Sequence, residues 1–151
     1  MKSKITVILV TTSLLLATGI AHATVSSCTL KNGSTVSVDV NQNGASYTHT
    51  SKAGKTDLTL PATAFASFSG ASGNTTTYYR FQNGDYSYVV ISVDAKGYAW
   101  DGLTVYKGMK RISQQPCQGY LKAPLAAPDS TSAIRDESDS TESETFIYTP
   151  Q

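Results

Sequence analysis

Between residues 24 and 123 the chain alternates apolar and polar side chains with a period of two, the signature of extended strands that bury one face. Thr35 to Val40 sets Val36, Val38 and Val40 against Thr35, Ser37 and Asp39. Asn43-Gly44 follows, a pair that tolerates positive φ and marks a tight hairpin. Ala45, Tyr47 and His49 then alternate with Ser46, Thr48 and Thr50. A second hairpin is predicted where Tyr79-Arg80-Phe81-Gln82 meets Asn83-Gly84-Asp85 and Tyr86 to Val93 returns, with Val89, Ile91 and Val93 on one face and Tyr86, Tyr88 and Val90 on the other. Lys96-Gly97 marks a further turn. Asp101-Gly102 reads as a break between Tyr98-Ala99-Trp100 and Leu103-Thr104-Val105-Tyr106. Val25 to Leu30, Asp57 to Leu60 and Arg111 to Ser113 are shorter strand candidates. Ala62 to Phe68 is ambiguous, because Phe65 and Phe68 also suit one helical turn, and the Gly/Ser/Thr run from Ser69 to Thr77 reads as an exposed loop. The expected fold is all-β: a single small antiparallel β-barrel, or β-sandwich, of about seven to eight strands.

The ends of the chain have a different character. Lys2 and Lys4 precede an apolar run from Ile5 to Ala21, and Ala21-His22-Ala23 has the small-x-small form of a cleavage site. Residues 1–23 are therefore expected to be a secretory signal peptide, with the mature chain beginning at Thr24 and carrying no membrane anchor. The expected location is periplasmic or secreted. In that compartment Cys28 and Cys117, the two cysteines of the chain, are expected to pair as one disulfide joining the two ends of the domain. Closing so long a loop is worth roughly 4–5 kcal/mol in the chain-entropy description.

From 124 to 151 Ser, Thr, Pro and acidic residues dominate until Phe146-Ile147-Tyr148, and this stretch is expected to be a solvated, disordered tail. The net charge of +1 hides a division. Residues 24–123 hold nine basic and five acidic side chains, or +4, and residues 124–151 hold one and six, or −5.

Few residues here suit catalysis. The stretch from 24 onward has one histidine, His49, and no glutamate before Glu137. Gly70-Ala71-Ser72-Gly73-Asn74 has asparagine where a nucleophile elbow needs its last glycine. A Ser–His–Asp hydrolase built on His49 is the third function class, after the two binding classes below. Two cysteines and one histidine without Cys-x-x-Cys spacing do not make a metal site, and no glycine-rich phosphate loop precedes a helix. No enzyme activity and no cofactor are expected. What remains is an aromatic concentration: Tyr78, Tyr79, Tyr86, Tyr88, Tyr98, Trp100 and Tyr106, with Arg80 and Lys96 among them. Strand packing accounts for many of these, and exposed Tyr, Trp and Arg serve as binding hot spots. A domain charge of only +4 on an exported chain speaks against nucleic acid as the partner.

Several of these residues resemble a known family. Cys28 followed by Asn32-Gly33-Ser34-Thr35-Val36, Ser69-Gly70 or Ser72-Gly73 followed by Tyr78, Gly84, Tyr86 and Tyr88, and Ala95-Lys96-Gly97 through Val105-Tyr106-Lys107 to Cys117 are similar to the periplasmic and membrane-bound inhibitors of C-type lysozymes. Those are small exported β-barrels. The resemblance spans about residues 28–117, and neither Ser-Gly pair has its tyrosine at the family's spacing. It implies that a Ser-Gly loop and a Lys-Gly loop enter a lysozyme cleft, where hydroxyl and ammonium groups meet the catalytic carboxylates. Carried over, it nominates Lys96 and Gly97, with Ser72 or Ser69. Tyr78, Arg80, Tyr98 and Trp100 complete the expected partner-binding set. The expected activity is that of a monomeric binding protein blocking a lysozyme-like or other cell-wall-degrading enzyme. An immunity protein against a periplasmic toxin and a glycan- or surface-binding module are the alternatives.

Overall fold

The computed structural model describes residues 23–42, 44–69 and 73–128. The expected signal peptide and the acidic segment from 129 onward lie outside the described residues, as do Asn43 and Gly70 to Ser72. Nine strands are present among the described residues, and no helix. They are β1 (Thr24–Thr29), β2 (Thr35–Asn41), β3 (Gly44–Thr50), β4 (Thr56–Pro61), β5 (Ala64–Ser69), β6 (Thr75–Asn83), β7 (Tyr86–Ala95), β8 (Tyr98–Lys107) and β9 (Lys110–Pro116). Within each sheet, strands consecutive in the chain pair antiparallel, giving a four-stranded sheet, β1-β2-β3-β4, and a five-stranded sheet, β5-β6-β7-β8-β9. The count is one or two above the expected number, because residues on either side of two expected irregularities are also extended. Ala62 to Phe68 contributes β5 rather than a helical turn, and Thr75 to Thr77, expected in a loop, open β6. These threonines pair with Ser69, Phe68 and Ser67 on one side and with Asp94, Val93 and Ser92 on the other. β-Branched side chains favour that pleated setting.

The hydrophobic pattern explains how the sheets meet. Val36, Val38 and Val40 of β2 and Ala45 and Tyr47 of β3 are buried, along with Phe65, Tyr79, Phe81, Val90 and Leu103 from the five-stranded sheet. Together with Leu30 and the two cysteines they form the principal core. Aromatic rings run through its middle: Tyr47 lies 5.2 Å from Phe81 and 5.8 Å from Tyr88, and Phe65 lies 4.8 Å from Tyr79, centroid to centroid. Such tilted pairs add to simple area burial.

Both seams between the sheets are stitched. At the β4–β5 corner, Ala62 N donates to Ala45 O and Thr63 N to Arg80 O, each at 2.8 Å. At the other seam Leu30 bridges Cys117, Lys31 N donates to Pro116 O, and Gln118 N donates to Thr29 O. The expected disulfide is there: Cys28 and Cys117, 89 residues apart in the chain, are joined with their Cα atoms 5.6 Å apart. Strand pairing does not run continuously around the molecule, so the arrangement is a sandwich with closed corners rather than a fully hydrogen-bonded barrel.

The domain also reaches past its expected end at 123. Lys122 N donates to Ser27 O, Ser26 Oγ to Pro124 O and the Tyr79 hydroxyl to Ala126 O, while Leu125 is buried in the principal core. One buried apolar side chain and a few backbone carbonyls suffice to draw this short stretch onto β1 and β6, and it differs in composition from the Ser-, Thr- and acid-rich residues that follow.

Candidate functional site

The five-stranded sheet brings most of the candidate residues together. Registers place Ala66, Tyr78, Ile91 and Gly102 in one row across β5 to β8, and Phe68, Thr76, Val93 and Trp100 in the next. Ala64, Arg80, Val89 and Thr104 form a third row. Alternation along the strands puts these rows on the face turned away from the four-stranded sheet. A second cluster of buried residues occupies this face: Ala66, Tyr78, Val89, Ile91, Val93 and Tyr106, with Phe68, Ala95 and Trp100 packed against it.

Tyr78 is therefore a packing residue, 3% exposed, and not an open contact ring. Trp100 is half-buried. Its ring lies over Gly102, where an added Cβ would come within 2.6 Å of the indole and 2.4 Å of Gln115 O. This explains Gly102 differently from the expected turn. The residue lies inside the continuous strand β8, without a positive φ, and is glycine because a ring and a neighbouring carbonyl approach it closely. Asp101, expected at a turn, is buried in β8, and its Oδ2 accepts a 2.8 Å hydrogen bond from Leu121 N.

One end of this sheet carries the two loops nominated by the resemblance. β5 runs into the 70–74 connection, and β7 turns into β8 through Lys96-Gly97, where Gly97 has φ of 80°. Lys96 N donates to Asn74 Oδ1 at 3.1 Å, which ties the two connections side by side. Lys96, Gly97 and Tyr98 are exposed at the tip, Tyr98 by 47%, and Ser69 is exposed at the end of β5. Ser72 lies outside the described residues. Arg80 stands two rows from Trp100 on the same face, half-buried, and so is set back from the tip.

A separate polar pair was not read from the sequence. His49 Nδ1 and Asp57 Oδ1 lie 2.5 Å apart. The β3–β4 register shifts between His49 and Thr50, and Asp57 is the extra residue of that irregularity. Among the described residues no serine hydroxyl hydrogen-bonds His49. The same residues help to line a cavity of about 430 Å³ between the sheets, with Tyr47 and Leu58 on one side and Tyr88, Leu103 and Val105 on the other. No group of three or more potential metal-ligating side chains occurs among the described residues, and they form no helix long and apolar enough to cross a membrane.

No protein-family model matches the chain, and neither the curated proteins nor the solved structures contain a match to it.

Proposed function

We propose that this is an exported binding protein that blocks a lysozyme-like or other cell-wall-degrading enzyme through the paired connections at the end of the five-stranded sheet. The observation that carries the reading is the Lys96–Asn74 hydrogen bond, which holds the β5–β6 and β7–β8 connections together with Lys96 exposed at their tip. A glycosidase cleft presents two carboxylates in a groove that excludes much of the water. A lysine on a narrow two-residue turn can reach into such a groove, and its ammonium forms charge-assisted hydrogen bonds with those carboxylates. Hairpin packing fixes the turn before binding, so little ordering entropy is lost on association. Tyr98 adjoins the lysine and adds an exposed ring to the contact.

The proposed compartment is the periplasm or the cell exterior. An oxidised Cys28–Cys117 pair belongs to such surroundings, and the amino-terminal charge, apolar run and Ala21-His22-Ala23 supply the route. The test is a panel of purified lysozymes and other cell-wall hydrolases. At least one should lose activity in proportion to added protein and be retained on the immobilised protein. A panel left fully active, with no member retained, overturns the proposal.

A further inference from the structure

The cavity between the sheets is remote from the Lys96 tip in its lining. It is bounded by Leu30, Tyr47, Leu58, Tyr88, Leu103 and Val105, with Asn32, His49, Asp57, Ser113 and Gln115 as its polar components. Asn32 and Asp57 are exposed, so the cavity opens to solvent on a polar side while its interior is aliphatic and aromatic. Its volume of about 430 Å³ lies in the range of small-molecule sites, and an apolar body with a few polar groups is their usual composition.

One wall carries an unmet demand. Tyr47 is fully buried, and its hydroxyl has no hydrogen-bond partner. It is the one cavity-lining group among the buried polar atoms left unsatisfied in the described residues. A buried phenol without a partner is destabilising, and β3 places it here although phenylalanine would fill the same space. Burial, with Tyr88 and Asp57 adding to it, holds the hydroxyl protonated well beyond the ordinary tyrosine range, so it is available as a donor.

We propose that this cavity is a binding site for a small, mainly apolar molecule that carries an oxygen acceptor and takes the hydrogen bond of the Tyr47 hydroxyl. The aliphatic walls Leu58, Leu103 and Val105 and the Tyr88 ring select an aromatic or short acyl body. The inner hydroxyl selects a carbonyl, ether or alcohol oxygen over a bare hydrocarbon.

The test is a titration of isotopically labelled full-length protein, followed by NMR, with acetophenone and with ethylbenzene, which has a similar shape without the carbonyl. Acetophenone should give saturable shifts centred on Tyr47, Tyr88, Leu103 and Val105. Tyr47→Phe should weaken acetophenone about fivefold to tenfold and leave ethylbenzene unchanged. Val105→Trp should abolish binding by filling the cavity, and Leu58→Trp, at a half-buried position, provides the same block should the first variant lose its dispersed spectrum. Three results overturn the proposal: no saturable shifts with acetophenone, shifts centred elsewhere, or a Tyr47→Phe variant that binds acetophenone as before. The last would leave enclosed water as the partner of the hydroxyl.

Discussion

The two sheets of this molecule are built on different plans. In the four-stranded sheet, β2 alternates strictly: Val36, Val38 and Val40 are buried and the residues between them are not. In the five-stranded sheet, β7 buries Val89, Val90 and Ile91 in succession, two facing one way and one the other. The first plan is that of an antiparallel sheet with one packed face and one wet face. The second is that of a sheet packed on both. Aromatic residues follow the second plan. Tyr78, Trp100 and Tyr106 furnish the outer cluster, and Tyr79, Phe81 and Tyr88 the inner. A sheet packed on both faces is a stiffer support, and it is the five-stranded sheet that carries the Lys96 tip.

The link between the sheets gives the largest expected effect. Replacing Cys28 and Cys117 together by alanine should lower stability by roughly 4–5 kcal/mol in urea unfolding, since the bond closes almost the whole domain. A loss under 1 kcal/mol would mean that the seams hold the sheets together without it. Gly102→Ala comes next. Its methyl meets Gln115 O as well as the indole of Trp100, and a carbonyl in a strand ladder cannot give way as a flexible side chain does, so about 3 kcal/mol should be lost. The contrast of faces itself is tested by four substitutions. In β7, Val90→Ala and Ile91→Ala should each cost about 2–4 kcal/mol although they point in opposite directions. In β2, Val38→Ala should cost about 2 kcal/mol and Ser37→Ala less than about 0.5. Equal sensitivity of Val38 and Ser37, or indifference at Ile91, breaks the comparison.

A smaller effect concerns the seam. Tyr79→Phe removes the hydrogen bond to Ala126 O and should cost about 1 kcal/mol, with faster proteolysis after residue 126. Burial raises the Tyr79 and Tyr47 hydroxyls above the ordinary value of 10.0. The folded state then holds protons that the unfolded chain releases. Stability from these groups is complete below about pH 10 and falls as pH rises beyond it, by up to about 1.4 kcal/mol per pH unit for each tyrosine. Denaturant midpoints between pH 9 and 11 check this, and Tyr79→Phe should flatten the slope.

The one-sided sheet was legible in the sequence and the two-sided one only in part. Val36, Val38 and Val40, with Asn43-Gly44 beside them, announce a strand and its hairpin directly, because period and turn chemistry agree. The Asn83-Gly84-Asp85 and Lys96-Gly97 turns were equally clear, and the Cys28–Cys117 pairing followed from there being two cysteines. Asp101-Gly102 misled, because Asp-Gly is turn chemistry unless something else needs the missing Cβ. Here that is the Trp100 ring and a carbonyl of β9, which only tertiary contact reveals. Thr75 to Thr77 misled for a related reason: small polar residues read as loop until a strand on each side pairs with them. At the candidate site, Lys96 and Gly97 were readable, whereas the bond from Lys96 to Asn74 spans 22 residues and leaves no local trace. Tyr78 showed the reverse. It was conspicuous in sequence as a possible contact and is spent on packing. His49 and Asp57 were both visible, but the β-bulge that joins them was not.

The most direct measurement compares one lysine from each sheet. Lys96 caps the β7–β8 turn of the five-stranded sheet, and Lys52, also exposed, lies in the β3–β4 turn of the four-stranded sheet. The inhibition constants of Lys96→Ala and Lys52→Ala should be determined against the hydrolase most strongly retained from the panel. Lys96→Ala should weaken inhibition at least about tenfold, the scale of one lost charge-assisted contact, and Lys52→Ala, which removes the same charge, should leave it within about twofold. Equal losses from both variants, or none from Lys96→Ala, would contradict the proposed function.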